Sequence, residues 1–223
     1  MSRRGPGPWL PRRFLGVGVA AGLTVLLAQH ATSAAFTAST SDGSNQATAA
    51  ASFCAAPGST TLTAAADSTG YEQSPTTTYG TSTSTGVGSQ AGANGRVVVR
   101  FTLPALGAHC DITAATLKLY ANSPTAGATI DAYRADPTAP LWTEAGLTWN
   151  TLPAAAGSAV GSASLGAIGW QQWTVTSQVQ TLYTTANNGF LLRDRTEGAA
   201  TGRWQIYDSD EGTNKPQLLI SWG

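Results

Sequence analysis

Charged residues make up only 11% of the sequence, and their densest run, Arg193, Asp194, Arg195 and Glu197 in FLLRDRTEG, follows directly on three apolar residues. Glycoside hydrolysis needs two carboxyl groups flanking one bond, and Glu144, Asp194 and Glu197 are the available acids. Nothing in their spacing raises one pair above the others. No serine sits in a GxSxG elbow, and beyond the first 34 residues the one histidine, His109, stands beside Cys110. No catalytic residue is therefore assigned. FLLRDRTEG reads better as a strand that ends in charges, its acids and arginines pairing with neighbouring loops.

A second acidic run, YDSDEGTN from Tyr207 to Asn214, places Asp208, Asp210 and Glu211 before a glycine. Oxygen ligands at this density suit Ca²⁺, but the EF-hand spacing with its distal Glu is missing. The preferred reading is a turn feeding the last strand, with no cofactor or metal assigned. Were a structural calcium bound, Asp67 would be the first additional ligand. Cys54 and Cys110 are the only cysteines. With no CxxC pair and so little histidine they do not suggest a zinc site, and a disulfide between them is the expectation for an exported chain.

A third set combines cations with aromatic rings. In RVVVRFTL, alternation sends Val97, Val99 and Phe101 one way and Arg96, Val98 and Arg100 the other. The same rule leaves Lys118 and Tyr120 outside in ITAATLKLYA, Asp131 and Tyr133 outside in ATIDAYR, and Leu191 and Arg193 outside in GFLLRD. If these strands share a sheet, its outer face carries Arg100, Lys118, Tyr120, Tyr133 and Arg193. Rings stack on the CH-rich faces of sugars, and arginine grips carboxylates, so the face would suit an acidic glycan. A solvated face with cross-strand charge pairs is the alternative. Trp170 and Trp173 are three apart, so only one of them can be core, and Trp204 is the next exposed candidate.

The elements that must position these residues are short. Arg3, Arg4, Arg12 and Arg13 precede an apolar run from Phe14 to Ala28 and then small residues, the layout of a secretory signal peptide over residues 1–34. All 12 acidic residues but only 8 of the 12 basic ones lie beyond position 40, so the mature chain carries a net charge of −4. That excludes a nucleic-acid-binding domain and a polybasic membrane anchor; no nucleic-acid partner is expected, and no membrane contact after signal cleavage. Residues 35–59 are a low-complexity linker. From Thr60 to Gly223 come eight candidate strands: TTLTAAAD, RVVVRFTL, ITAATLKLYA, ATIDAYR, GWQQWTV, GFLLRD, RWQIYD and PQLLISW. One helix is expected in TSQVQTLYTTANNG, capped by Thr176 or Ser177 and ended by Asn188-Gly189. The fold class is all-β, an antiparallel two-sheet β-sandwich of jelly-roll type with one short helix.

In order, YEQSPTTTYGTSTSTGVGS, RVVVRFTLPAL, ITAATLKLYA, WTEAGLTWNTLPA, WTVTSQVQ, GFLLRDRTEG and KPQLLISW resemble the DNRLRE domain, also classed as carbohydrate-binding module family 96. The resemblance runs from about Thr60 to Trp222. Its most specific parts are Trp142-Thr143-Glu144 with Gly146, Thr148, Trp149, Asn150 and Pro153, then Gly189 to Asp194 with Glu197. It implies a secreted, extracellular or surface jelly-roll sandwich whose characterised members are similar to modules that bind acidic polysaccharide such as alginate. The function expected is thus non-catalytic binding of a polysaccharide partner, including uronic-acid polymers. The alternative is a structural or adhesive surface module with no defined sugar site.

Overall fold

The computed structural model describes residues 53–164, 166–199 and 202–223. The expected signal peptide and most of the expected linker lie outside the described residues. In those residues eleven strands and one helix are present: β1 Gly58–Thr63, β2 Ala66–Tyr71, β3 Ser84–Ser89, β4 Gly95–Arg100, β5 Ile112–Ser123, β6 Thr129–Ala135, β7 Ala155–Ala163, β8 Gly169–Thr174, α1 Thr176–Leu182, β9 Phe190–Asp194, β10 Arg203–Asp208 and β11 Gln217–Trp222. Between β6 and β7 lie two single 3₁₀ turns, Glu144–Gly146 and Trp149–Thr151. No helix of the described residues is long and apolar enough to cross a membrane.

Every strand pairing is antiparallel, and the ladder runs β1-β11-β5-β10-β3-β4-β9-β6-β7, with β2 on β4 and β8 on β5. The chain is therefore all-β, as expected, but its strands form one hydrogen-bonded network that curls about the core and not two separate sheets. The network thins at two places. β3 meets β4 at the single pair Gly88↔Gly95, and β10 meets β5 only through Ile206↔Ser123 and Tyr207↔Ala121. On either side of the β10–β3 ribbon lie a leaf of β1, β11, β5 and β8 and a leaf of β2, β4, β9, β6 and β7.

Alternation explains why the sheet curls. Val97 and Val99, Leu117 and Leu119, Ile130 and Ala132, Phe190 and Leu192, and Leu218 and Ile220 all enter one cluster with Trp173 and Tyr207. Each large aliphatic or aromatic side chain removed from water there stabilises by about 1.5–3 kcal/mol. The polar atoms of Trp173 and Tyr207 are satisfied across the core. Trp173 Nε1 donates to the Ile130 carbonyl at 2.8 Å, and the Tyr207 hydroxyl donates to Gln171 Oε1 at 2.7 Å. A second, smaller cluster of Ala66, Val98, Trp142, Leu147 and Leu191 covers the outer side of β4 and β9.

All eight expected strands are present, yet three local expectations need correction. TTLTAAAD is two strands, because the chain crosses from β11 to β4 between Thr63 and Ala66. Neither Thr176 nor Ser177 caps the helix: Val175 is its N-cap residue, and Thr176 Oγ1 accepts the Ala115 N–H at 3.0 Å, tying the helix to β5. The helix also ends at Leu182, well before Gly189, whose φ of +78° opens β9. A Cβ at Gly189 would lie 2.2 Å from the Val99 carbonyl oxygen, so only glycine lets the two strands approach there.

Candidate functional site

The charges of FLLRDRTEG are occupied. Arg96, from β4, meets Glu197 with Nε at 2.7 Å and Nη2 at 3.1 Å, and Arg193 adds a looser contact at 3.7 Å. Arg195 grips Asp131 at 2.7 Å, and Asp194, buried, accepts both the N–H and the hydroxyl of Thr196 at 2.8 Å. These contacts hold the β9 end against β4 and β6. Asp194 and Glu197 are thus both engaged in contacts that shape the end of β9.

The five residues expected to share an outer face do not all come together. Arg100, Tyr133 and Arg193 lie on the leaf containing β4, β6 and β9. There Arg193 stands 4.8 Å from the centre of the Tyr133 ring and donates to its hydroxyl at 3.1 Å. Arg100 lies 5.4 Å from the Trp142 ring, and Arg96 lies 4.6 Å from the Trp149 ring. The segment 136–154 delivers both tryptophans, and Trp142 is buried with its Nε1 donating to the Asn188 carbonyl at 3.0 Å. This face is therefore partly roofed, and two of its arginines are shared with Glu197.

Lys118 and Tyr120 lie on the other leaf, separated in the ladder by β10 and β3. Antiparallel register sets them in rows on the side of β5 opposite the core. Gln172, Lys118, Gln217 and Thr63 face one another across β8, β5, β11 and β1, while Tyr120 faces Trp170. Lys118 Nζ stands 4.9 Å from the Trp170 ring, and Tyr120 meets that ring edge to face at 5.4 Å. Lys118 forms no ion pair among the described residues. Trp170 is half-buried while Trp173 is core, as their spacing requires, and Gln172, Thr174, Thr61 and Thr63 are exposed. Sequence reasoning identified Lys118 and Tyr120 but could not join them to Trp170, because alternation does not say which strands are neighbours.

Trp204, expected to be exposed, is half-buried in a third aromatic group whose other members were not foreseen. Tyr71 meets Tyr79 and Trp204 edge to face at 4.7 and 5.7 Å, over a floor of Gly86, Gly88 and Gly95. A Cβ at Gly88 would lie 2.4 Å from the Trp204 ring, so bare backbone is what lets the indole lie close. The signal available in the sequence was the pattern of glycines at alternate positions in STGVGS.

The acids of YDSDEGTN divide. Asp208 faces away, accepting from Asn122 at 2.6 Å and from the Asn214 side chain at 2.8 Å. Asp210 and Glu211 instead approach Asp67, whose backbone N–H donates to Glu144 Oε1 at 3.0 Å. Burial, then the charge of Asp210, pushes the Asp67 carboxyl up to about 8. Burial likewise pushes Asp210 up to about 7. Cys54 and Cys110 form a disulfide, as expected.

No curated protein matches the chain. A family model described as carbohydrate-binding module family 96 matches residues 58–222. The match runs from the first residue of β1 to the last of β11 and takes in every face described above. By that match the chain belongs to carbohydrate-binding module family 96.

Proposed function

We propose that the chain is an exported, non-catalytic module that binds an acidic, uronic-acid-containing polysaccharide through the outer face of β5 and β8. The observation that carries this reading is Lys118 standing over Trp170 beside Tyr120, with no acid taking its charge. A cation–π contact at a partly exposed pair such as this is worth about 0.5–2 kcal/mol. A charge-assisted bond to a sugar carboxylate can offset that, drawing the ammonium off the ring and leaving the indole for the sugar. Gln172 and Gln217, on either side of Lys118 in the same row, supply donors and acceptors for hydroxyls. Export is supported by the disulfide and by the basic-then-apolar N-terminal sequence. The thin β3–β4 and β5–β10 junctions support a jelly-roll sandwich whose two leaves are stitched at their edges.

Affinity electrophoresis in gels cast with alginate, pectin, xylan or chitosan tests the reading. Retardation by alginate and pectin, reduced at least about tenfold in affinity by Trp170→Ala and by Lys118→Ala, is expected; one lost stacking or charged contact accounts for that much. Unchanged retardation in both variants moves the site to Arg100, Tyr133 and Arg193, and Tyr133→Ala then carries the loss. Absence of retardation in every gel leaves a structural or adhesive surface module.

A further inference from the structure

Segment 136–154, the end of β4 and the turn leading from α1 into β9 enclose a cavity of about 730 Å³. Cavities of this size take small organic ligands. Its walls are largely apolar. Phe101 and Leu182 belong to the core, and Leu103, Pro104 and Leu141 line the rest. Leu141 is 59% exposed, an apolar surface that a ligand in the cavity would cover.

The one charged side chain in the wall is Arg100. It forms no ion pair among the described residues, and its Nε is shut off from solvent without a hydrogen-bond partner. Its neighbour on the same face of β4 shows what such an arginine holds. Arg96 stands 4.6 Å from the Trp149 ring, as Arg100 stands 5.4 Å from the Trp142 ring, but Arg96 has Glu197 on its Nε and Nη2. The two share strand, face and an indole neighbour, and of the two only Arg96 has its carboxylate.

The other donors of the wall are engaged. The Tyr183 hydroxyl donates to the Pro104 carbonyl at 3.0 Å, and Asn187 Nδ2 to the Phe101 carbonyl at 2.9 Å. Asn188 Nδ2 donates to the carbonyls of Asp136 and Ala139 at 2.7 and 2.9 Å. Apart from the exposed Thr102 hydroxyl, Arg100 is the side-chain donor left to a ligand. A sugar ring would bring several hydroxyls into this cavity and lose their water partners, a cost that one arginine does not offset.

We propose that the cavity binds a small carboxylic acid with an apolar body, its carboxylate on the Nη groups of Arg100 and its body against Phe101, Pro104 and Leu141. With Nε closed off, the two Nη groups are the ones that reach a carboxylate, and such charge-assisted bonds are about twice as strong as neutral ones. Arg100 is separated in the ladder from Lys118 and Trp170 by β3 and β10, so the site does not rest on polysaccharide binding at that face.

Calorimetry on the full-length chain at pH 7.5 and low ionic strength compares three probes: trans-cinnamate, neutral cinnamamide, and glucuronate, which carries the charge without the apolar body. Cinnamate is expected to saturate one site with a Kd of about 1 mM or tighter, and the other two to bind at least about tenfold more weakly. Arg100→Gln should erase the preference for acid over amide. Leu141→Glu, at an exposed position, should weaken cinnamate about tenfold by repelling its carboxylate or taking Arg100 for itself. Equal affinity for acid and amide in the wild type overturns the site, as does a lack of saturation by cinnamate up to about 10 mM. So does a preference that survives Arg100→Gln. Glucuronate binding as tightly as cinnamate also overturns it, the cavity then serving sugars. Should Arg100→Gln fail to fold, Leu141→Glu decides, and cinnamate binding at full strength in that variant refutes the proposal.

Discussion

Asp67 shows how much one residue's meaning depends on neighbours far along the chain. As a residue type it is an ordinary acid ending an apolar stretch, and Asp210, which donates its N–H to it, is 143 positions away. The sequence thus exposes the ligand types in YDSDEGTN and even nominates Asp67, but not the burial that makes the group unusual. The consequence can be measured as a pH dependence of stability. Asp67 has a folded value near 8 against an ordinary 3.8, so in the folded state it holds a proton that the unfolded chain gives up. Its contribution to stability is complete below about pH 4 and is lost as pH rises toward 8, and Asp210, raised to about 7, adds to the same trend. Urea midpoints should fall from pH 4 to pH 8. Asp67→Asn, which cannot ionise, should flatten most of that fall, and a wild-type midpoint rising over this window would contradict the assignment.

At the scale of elements, the readable strands are those whose alternation carries bulk: RVVVRFTL, ATLKLY and GFLLRD place valine, leucine and phenylalanine at every second position. β3 and β7 were passed over as connections because STGVGS and AAGSAVGSA are built of glycine, serine and alanine. Those small residues are there for close approach: β3 lies under Trp204, and β7 passes beside Arg134 and Arg195. Neighbour relations were also beyond reach, which is why one expected basic face became two. The segment 136–154 is the element with most influence on the first of them. Trp142 fills the second cluster, lies beside Arg100 and satisfies the Asn188 carbonyl. Trp142→Ala should cost about 3–5 kcal/mol, as large aromatic truncations do. Trp142→Phe should cost less but still leave the Asn188 carbonyl without its donor. Chemical denaturation of both variants checks the order, and a cost below about 1 kcal/mol for alanine would mean that the segment is a loose cover.

Over the whole molecule, the ladder and the disulfide divide the work of closing a sheet whose first and last strands are neighbours. β1 pairs with β11, so the described chain enters and leaves side by side, and Trp222 Nε1 donates to the Ala56 carbonyl at 2.7 Å beside that pairing. Just upstream, Cys54 is bonded to Cys110 across a separation of 56 residues, and Ala55 N–H donates to the Ala108 carbonyl at 3.0 Å. That bridge clips the entry strand to the β4–β5 connection, so β1, β11 and β5 are held by a covalent link as well as by hydrogen bonds. Removing a loop closure of this length frees the unfolded chain by about 4 kcal/mol in the chain-entropy model. The double change Cys54→Ser with Cys110→Ser should therefore lower Tm by roughly 10 °C in a domain of this size. Below the new midpoint, Lys118, Tyr120 and Trp170 keep their register, which β5–β8 pairing sets without help from the bridge. Retardation in anionic gels at low temperature should thus survive the double change while thermal stability falls. Loss of both together would mean that the entry strand, and not the β5–β8 face alone, shapes the binding surface.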